Sequence, residues 1–196
     1  MMAKRILILN GHPAATSLSK QFAEIYAESA RAGGFDTKLI HIRELEFDSD
    51  FGFGGYTQTK PLESDLEQLL VDMEWSEHLV LLTPMWWGGV PAKLKGLFDR
   101  ILLPGRTFDT RKKVGGFPVP MLAGRTARVI LTSDTPSWYF RLFYKSALWI
   151  QLKHQILSFV GFKPTKLTHL NMASHPSGTQ VRAWKRTVQS FAEKGI

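Results

Sequence analysis

The sequence of 196 residues contains no cysteine. That absence excludes disulfides, zinc sites with cysteine ligands, thiol redox centres and cysteine nucleophiles, and it fits the reducing cytosol. Long apolar runs are also missing. The run after the basic start covers only residues 6–9, too short for a signal peptide, and charges, Gly or Pro interrupt every stretch approaching the length of a transmembrane helix. We therefore expect a soluble, cytoplasmic protein, and we predict no metal site.

Acidic residues are scarcer than basic ones, 17 against 25, which gives a formal charge of +8 and a pI near 9.8. This surplus permits attraction to nucleic acid, anionic lipid or phosphate-bearing ligands without proving any of them. Apart from residues 111–113 the basic residues are scattered, and no nucleic-acid recognition motif occurs. We expect no nucleic-acid partner, whereas peripheral attachment to a membrane through the basic surface stays open.

Short apolar runs alternate with helical patterns along the whole chain. Strands are predicted over residues 5–10, 37–42, 78–83, 127–132 and 163–170. Helices are predicted over residues 17–31, 64 to about 73, 91–102, 142–160 and 177 to about 194, with a capping box at Ser64 and a cap formed by residues 177–180 on the last helix. Five alternations indicate a single α/β domain, a doubly wound parallel sheet with helices on both faces. Residues 46–61 and 103–124 do not fit this alternation of strands and helices and are predicted as long loop insertions.

Ligands of open parallel sheets bind outside the carboxyl ends of the strands, so the loops there are the candidate sites. The loop after the first strand brings His12 and three hydroxyls, Thr16, Ser17 and Ser19, to a helix N-terminus, together with Leu18. Free N–H groups and hydroxyls there favour an anion such as a phosphate monoester. The loop has neither the dinucleotide nor the triphosphate glycine motif. The alternative is that Thr16 or Ser17 only caps the helix.

Two further loops complete the candidate site. After the third strand come Pro84, Met85, Trp86, Trp87 and Gly88. Apolar side chains, with a backbone that can approach a ligand closely, suit a planar heteroaromatic ligand. The alternative for this loop is an aromatic plug beneath the insertions. After the fourth strand come the small polar residues Thr132, Ser133 and Asp134, which could line a pocket rim or form a solvated turn.

These motifs resemble the flavodoxin-like NAD(P)H:quinone oxidoreductases, a family that includes DT-diaphorase-like enzymes, modulators of drug activity and azoreductase relatives. The strongest section runs from Pro84 to Arg100 and matches the family pattern P-x-x-W-x-G-x-P-A-x-L-K-G-x-x-[DE]-R. The loop from His12 to Ser19 is similar to the family's H-x-x-x-[ST]-x-x loop, and residues 156–162 resemble the segment before its last strand. The likeness covers most of the chain.

The resemblance implies a flavodoxin-like fold and a non-covalent flavin, FMN or alternatively FAD. It implies that residues 12 and 16–19 hold the phosphate, that residues 84–88 lie along the isoalloxazine edge, and that residues 132–134 close the other side of the ring. Members take a hydride from NADH or NADPH and pass two electrons to a quinone or a similar acceptor. They are typically homodimers with a shared pocket, so we expect a homodimer here.

Some residues depart from the family pattern. The third loop reads Thr132-Ser133-Asp134-Thr135 where mammalian quinone reductases have T-T-G-G, and a carboxylate there would disfavour an anionic reduced ring. The Tyr and His that those enzymes place near the acceptor have no counterpart that we can assign, so we name no catalytic side chain. With the bulky Trp86 and Trp87, Asp134 favours an alternative function: a dimeric regulatory or ancillary protein of this fold that has lost flavin.

Overall fold

The computed structural model describes residues 3–50, 52 and 59–196. The strands are Arg5–Asn10 (β1), Asp36–His41 (β2), His78–Pro84 (β3), Phe108–Val114 (β4), Phe117–Pro120 (β5), Arg125–Ser133 (β6) and Phe162–Asn171 (β7). The α-helices are Leu18–Ala32 (α1), Ser64–Trp75 (α2), Ala92–Ile101 (α3), Ser137–Leu142 (α4), Ala147–Ile150 (α5), Ser158–Val160 (α6) and Gly178–Glu193 (α7). A 3₁₀ turn occupies Ile42–Glu44, and a π-helix over Gln151–Leu157 joins α5 to α6.

Five parallel strands form the main sheet, in the order β2-β1-β3-β6-β7. Counting only these strands, the order is 2-1-3-4-5, the flavodoxin-like doubly wound arrangement. The chain turns away from β1 in opposite directions to reach β2 and β3, so their connections leave a crevice at the carboxyl ends of β1 and β3. The predicted fold class is confirmed.

Alternation along the buried strands sends side chains to two separate cores. In β1, Ile6 and Ile8 pack against α1 and α7, whereas Leu7 and Leu9 face the other side of the sheet, with α2, α3 and the helical segment after β6. Each of these four side chains is at most 3% exposed. Because both faces are covered, the strands read as continuous apolar runs.

Several boundaries differ from the sequence prediction. Ser64 does not cap α2: Glu63 holds the N-cap position without a side-chain cap, so the predicted capping box is wrong, whereas the box of Ser177 with Gln180 is present. The helix predicted over 142–160 begins at Ala147, because Lys145 and Ser146 have positive φ values of 49° and 52° and end the preceding turn. α4 is a separate short helix.

The two predicted insertions have different structures. Residues 103–124 are not only loop, since they contain the antiparallel hairpin of β4 and β5, which turns at Gly115 and Gly116 with positive φ at both. In the segment 46–61, residues 51 and 53–58 lie outside the described residues. Its described ends pack against α3: a Cβ on Gly96 would meet the Cβ of Ser49 at 2.5 Å. Of the described helices, none has the length and apolarity needed to cross a membrane.

Arg100 joins the two described ends of the segment 46–61. Its guanidinium is 2% exposed and donates to both carboxylate oxygens of Glu63, at 3.1 and 2.9 Å, to the carbonyl of Pro61 at 2.7 Å, and to the carbonyl of Asp48. A buried guanidinium needs such partners, since a charge without them is costly to bury. The last part of the family pattern, K-G-x-x-[DE]-R, therefore supports the scaffold rather than the ligand site.

Candidate functional site

A cavity of about 220 Å³ opens at the carboxyl ends of β1, β3 and β6. The loops after these strands form it, together with the loop after β7. Ten of the thirteen predicted site residues line it: His12, Thr16, Ser17, Leu18, Ser19, Pro84, Trp86, Thr132, Ser133 and Asp134. The topology of the sheet thus brings together three loops that lie far apart in the sequence, since at least one helix separates each loop from the next.

The loop after β1 fixes the orientation of His12. A Cβ on Gly11 would lie 2.5 Å from a methyl of Leu94 and 3.2 Å from the carbonyl oxygen of Leu82, so a larger residue would displace the Leu94 side chain of α3. The buried Asn10 accepts the backbone N–H of His12 through its side-chain oxygen at 3.2 Å. The imidazole Nδ1 in turn accepts the N–H of Ala14 at 3.1 Å, which leaves the proton of the neutral ring on Nε2. Burial lowers the pKa of His12, so the ring offers a neutral N–H donor.

The N-terminus of α1 supplies further donors to the cavity. The Ser17 hydroxyl accepts the N–H of Lys20 at 3.0 Å and so caps the helix, as the capping interpretation predicts. Its own proton remains available for donation to a ligand. Ser19 is buried with its Oγ 3.5 Å from Oγ1 of Thr132, while Thr16 is exposed. The first turn of α1 carries no acidic residue, so the positive end of the helix dipole is not neutralised locally.

The loop after β3 is a tight turn. The N–H of Trp86 donates to the carbonyl of Gly89 and the N–H of Gly89 donates back, both at 2.9 Å. The central residues Trp87 and Gly88 have φ values of 51° and 77°, the signature of a type I′ turn. A positive φ is unusual for so bulky a residue, and the Trp87 side chain is fully exposed. The Trp86 indole meets the ring of His12 edge-on, with centroids 5.4 Å apart.

Asp134 is occupied by a structural contact. Its carboxylate accepts both the backbone N–H of Ser174, at 2.7 Å, and the hydroxyl of that serine. These hydrogen bonds hold the pKa of Asp134 below its usual value. They join the loop after β6 to the loop after β7, and Ala173 and Ser174 line the cavity as well. Asp134 therefore closes one wall of the cavity.

A second, larger cavity of about 600 Å³ holds the other three predicted residues. Its lining is mostly apolar and consists of Met85, Trp87, Gly88, Thr135, Phe140, Tyr144, Ala147 and Leu148. Both loops contribute to both cavities: Pro84 and Trp86 line the smaller cavity and Met85 lies between them in the larger one, while Asp134 and Thr135 line one cavity each, so the cavities are neighbours. The predicted set is thus divided into a polar part and an apolar part.

Sequence reasoning missed the residues after β7 and those of α4 and α5. Ala173 and Ser174 could have been found, because the carboxyl end of the fifth parallel strand lies at the same edge as the others. The residues from Phe140 to Leu148 had no such signal: Tyr144, Ala147 and Leu148 lay inside the helix predicted over 142–160, and Phe140 lay just before it. A third cavity, about 810 Å³ and the largest of these, lies between α3, β4 and the π-helix and contains none of the thirteen predicted residues.

Comparisons with known proteins agree with this architecture. The model of the flavodoxin-like fold family Flavodoxin_2 matches residues 4–192. The ribosyldihydronicotinamide dehydrogenase [quinone] of Mus musculus is 26% identical over 191 residues, with 83% of this chain and 79% of that protein covered. The FMN-dependent NADH:quinone oxidoreductase of Metamycoplasma arthritidis is 26% identical over 141 residues, covering 69% of this chain and 72% of that one.

A solved structure is similar over nearly the whole chain. The structure of Smu.1420 from Streptococcus mutans UA159 superposes with a TM-score of 0.77 at 26% identity, covering 97% of this chain and 99% of that one. The match of the family model extends from before β1 to the last residues of α7. With the strand order of its sheet, this establishes that the chain belongs to the Flavodoxin_2 family of flavodoxin-like proteins.

Proposed function

We propose that the protein is a flavin-dependent NAD(P)H:quinone oxidoreductase that binds FMN and carries a hydride from NADH or NADPH, through the flavin, to a quinone. The observation that carries the proposal is that a donor-rich cavity adjoins an apolar cavity at the edge of the sheet where the strand order reverses. The names of the mouse and Metamycoplasma relatives, a quinone-linked dehydrogenase and an FMN-dependent quinone oxidoreductase, support it. Dependence on NAD(P)H makes the cytoplasm the proposed location.

The donor set of the smaller cavity fits a phosphate monoester. The Nε2–H of His12, the hydroxyls of Thr16 and Ser17 and the first N–H groups of α1 are donors, and the helix dipole favours negative charge there. The carboxylate of Asp134 is ionised and repels an anion, and the N–H and hydroxyl of Ser174 that donate to it offset part of that repulsion. We assign the phosphate to this cavity.

The larger cavity fits a planar ring system. Its volume of about 600 Å³ lies within the 300–1,000 Å³ usual for ligand pockets, and Met85, Phe140 and Leu148 give it apolar walls. Flavin, when bound, supplies the two-electron chemistry that these side chains lack. The walls offer an aromatic surface, Tyr144 with Trp87, on which a nicotinamide or a quinone can stack in turn.

We further propose that a second copy of the chain covers the larger cavity. Its rim carries an exposed aromatic patch, in which Trp138, Phe143 and Tyr144 are 59%, 63% and 46% exposed and pack around Tyr139 at centroid distances of 5.5, 4.6 and 5.1 Å. Large exposed apolar patches of this kind mark interaction sites. A homodimer that buries this patch would also keep bulk water out of the cavity.

Replacement of Phe143 by Asp tests the dimer. We expect the wild-type chain to elute as a dimer in size-exclusion chromatography with light scattering, and Phe143→Asp to elute as a monomer. Val114→Asp is a matched control, because Val114 is 75% exposed at the tip of the β4–β5 hairpin and belongs to a different part of the surface from this patch. A wild-type monomer, or dissociation by the control alone, contradicts the proposed interface.

The alternative function, a dimeric regulator without flavin, is favoured by one observation. The smaller cavity, at about 220 Å³, is below the usual range for ligand pockets, and Trp86 occupies part of its wall. This interpretation predicts a folded dimer that retains no flavin.

A visible absorption spectrum decides between the two functions. Purified protein is mixed with excess FMN and desalted, and NADH, NADPH and then menadione are added in turn. We expect a retained flavin spectrum that NAD(P)H bleaches and menadione restores. Retention of FAD but not FMN would correct the cofactor. Protein that retains neither flavin contradicts the oxidoreductase function and supports the regulator.

A further inference from the structure

His169 contacts the wall of the smaller cavity from behind. It lies near the carboxyl end of β7, half-buried, and its Nε2 is 2.7 Å from the hydroxyl of Ser133, which lines the cavity. Its Nδ1 is 3.3 Å from the hydroxyl of Ser137, the first residue of α4, and its ring packs on Phe140 with centroids 4.8 Å apart. Neither the sequence motifs nor the proposed function assigns this histidine a role.

A neutral imidazole between two hydroxyls has two arrangements. With the proton on Nε2, the ring donates to Ser133 and accepts from Ser137, so the proton of the Ser133 hydroxyl is free. With the proton on Nδ1, Ser133 must donate to the ring and presents only lone pairs to the cavity. The tautomer of His169 therefore sets whether Ser133 is a donor or an acceptor for a ligand. Burial lowers the pKa of His169, which keeps the ring neutral near pH 7.

A bound ligand favours the first arrangement. Among the described residues, the acceptor for the Ser133 hydroxyl besides His169 is the carbonyl of Thr135, at 3.5 Å, the outer limit for a hydrogen bond, so a ligand oxygen in the cavity would be a better acceptor. Apart from the carboxylate of Asp134, the polar groups around the cavity, including the Nε2–H of His12 and the N-terminus of α1, offer donors that select an acceptor-rich ligand. A ligand oxygen near Ser133 would therefore hold the proton of His169 on Nε2.

We propose that His169 is a positioning residue that directs the Ser133 hydroxyl into the cavity as a donor to an acceptor oxygen or nitrogen of the bound flavin. The inference rests on the proposed function, because it requires flavin in this cavity. It assigns His169 no contact with the cofactor: the ring acts through Ser133. A purely structural histidine would instead hold α4 against β7 and have no preferred tautomer in the complex.

A double-mutant cycle separates these two roles. FMN dissociation constants are measured by fluorescence quenching for the wild-type chain, His169→Leu, Ser133→Ala and the double variant. We expect either single substitution to weaken binding about fivefold to tenfold, the value of one hydrogen bond. We expect the double variant to bind no more weakly than Ser133→Ala. If His169→Leu weakens binding by the same factor in both backgrounds, His169 does not act through Ser133 and the proposal is overturned.

A conservative variant and an NMR measurement distinguish the loss of the His169–Ser133 hydrogen bond from a loss of folding. The side-chain amide of His169→Gln can donate to Ser133 as Nε2–H does, so we expect it to bind FMN within about twofold of wild type. In the wild-type complex, ¹⁵N NMR should show His169 protonated on Nε2, and Ser133→Ala should remove that preference. Protonation on Nδ1 in the complex contradicts the proposal. Wild-type protein that retains no FMN overturns the proposed function as well, whereas binding with an additive cycle overturns the positioning role alone.

Discussion

The two cavities of the site differ in how their walls are held. In the smaller cavity the polar side chains are fixed by hydrogen bonds to the protein: His12 by Ala14, Ser17 by Lys20, and Asp134 by Ser174. The larger cavity is walled by apolar groups and opens onto exposed aromatic rings. A group that stays bound needs fixed donors, whereas substrates that exchange need an accessible apolar face. The difference predicts that substitutions in one cavity affect cofactor retention and those in the other affect the acceptor.

The largest effect should come from a charge at the N-terminus of α1. Aspartate is a good N-cap, so Ser17→Asp keeps α1 capped while placing a carboxylate beside the proposed phosphate. We expect FMN affinity to fall roughly 100-fold or more, because like charges at short range cost several kcal/mol. Fluorescence titration with FMN measures this loss, and circular dichroism verifies the fold.

The chain provides a matched control at its last helix. Ser177 caps α7 in the same way, with its hydroxyl accepting the N–H of Gln180 at 3.2 Å. Ser177→Asp should leave FMN affinity unchanged. An equal loss in both variants, or none in Ser17→Asp, would mean that the smaller cavity is not the phosphate site.

A bulky residue in the larger cavity should have the opposite effect. Ala147 is exposed at the start of α5 and borders this cavity, so Ala147→Trp can fill it without disturbing the core. We expect the KM for menadione to rise about tenfold by steric exclusion, while FMN is still retained because its proposed phosphate site lies in the smaller cavity. Steady-state kinetics with FMN-loaded protein test this. A loss of FMN with no change in KM would show that the division between the cavities is wrong.

The sequence predicts the sheet well because its strands are buried on both faces. For β1 the predicted bounds agree with the structure, and the other main strands differ by at most two residues at either end. The errors arise where local signals compete. Ser64 and Glu67 satisfy the capping-box pattern, yet the chain enters α2 one residue earlier, at Glu63. The Gly115-Gly116 pair is a hairpin signal that the surrounding Pro and basic residues obscured.

The sequence predicted which residues form the candidate site, but not how they are divided between two cavities. Three loops could be placed at one edge from topology alone. The assignment of Met85, Trp87 and Gly88 to a separate cavity depends on the φ values of the turn, which no local pattern fixes for a tryptophan. Likewise, the contact of His169 with Ser133 joins adjacent strands through their register, which is a property of the folded sheet.

The smallest effect should be a gain in stability at Trp87. Its positive φ is strained for an aromatic residue, and Asn followed by Gly88 is the preferred sequence of a type I′ turn. We expect Trp87→Asn to stabilise the fold by about 1 kcal/mol and raise Tm by about 2–4 °C. Trp138→Asn is the control, since Trp138 is also exposed but lies in α4, where φ is negative, and should give no gain. If Trp87→Asn is more stable and yet raises the KM for menadione, the strained tryptophan serves the larger cavity rather than the fold. Unchanged kinetics would place the acceptor elsewhere in that cavity, against Met85, Phe140 and Leu148.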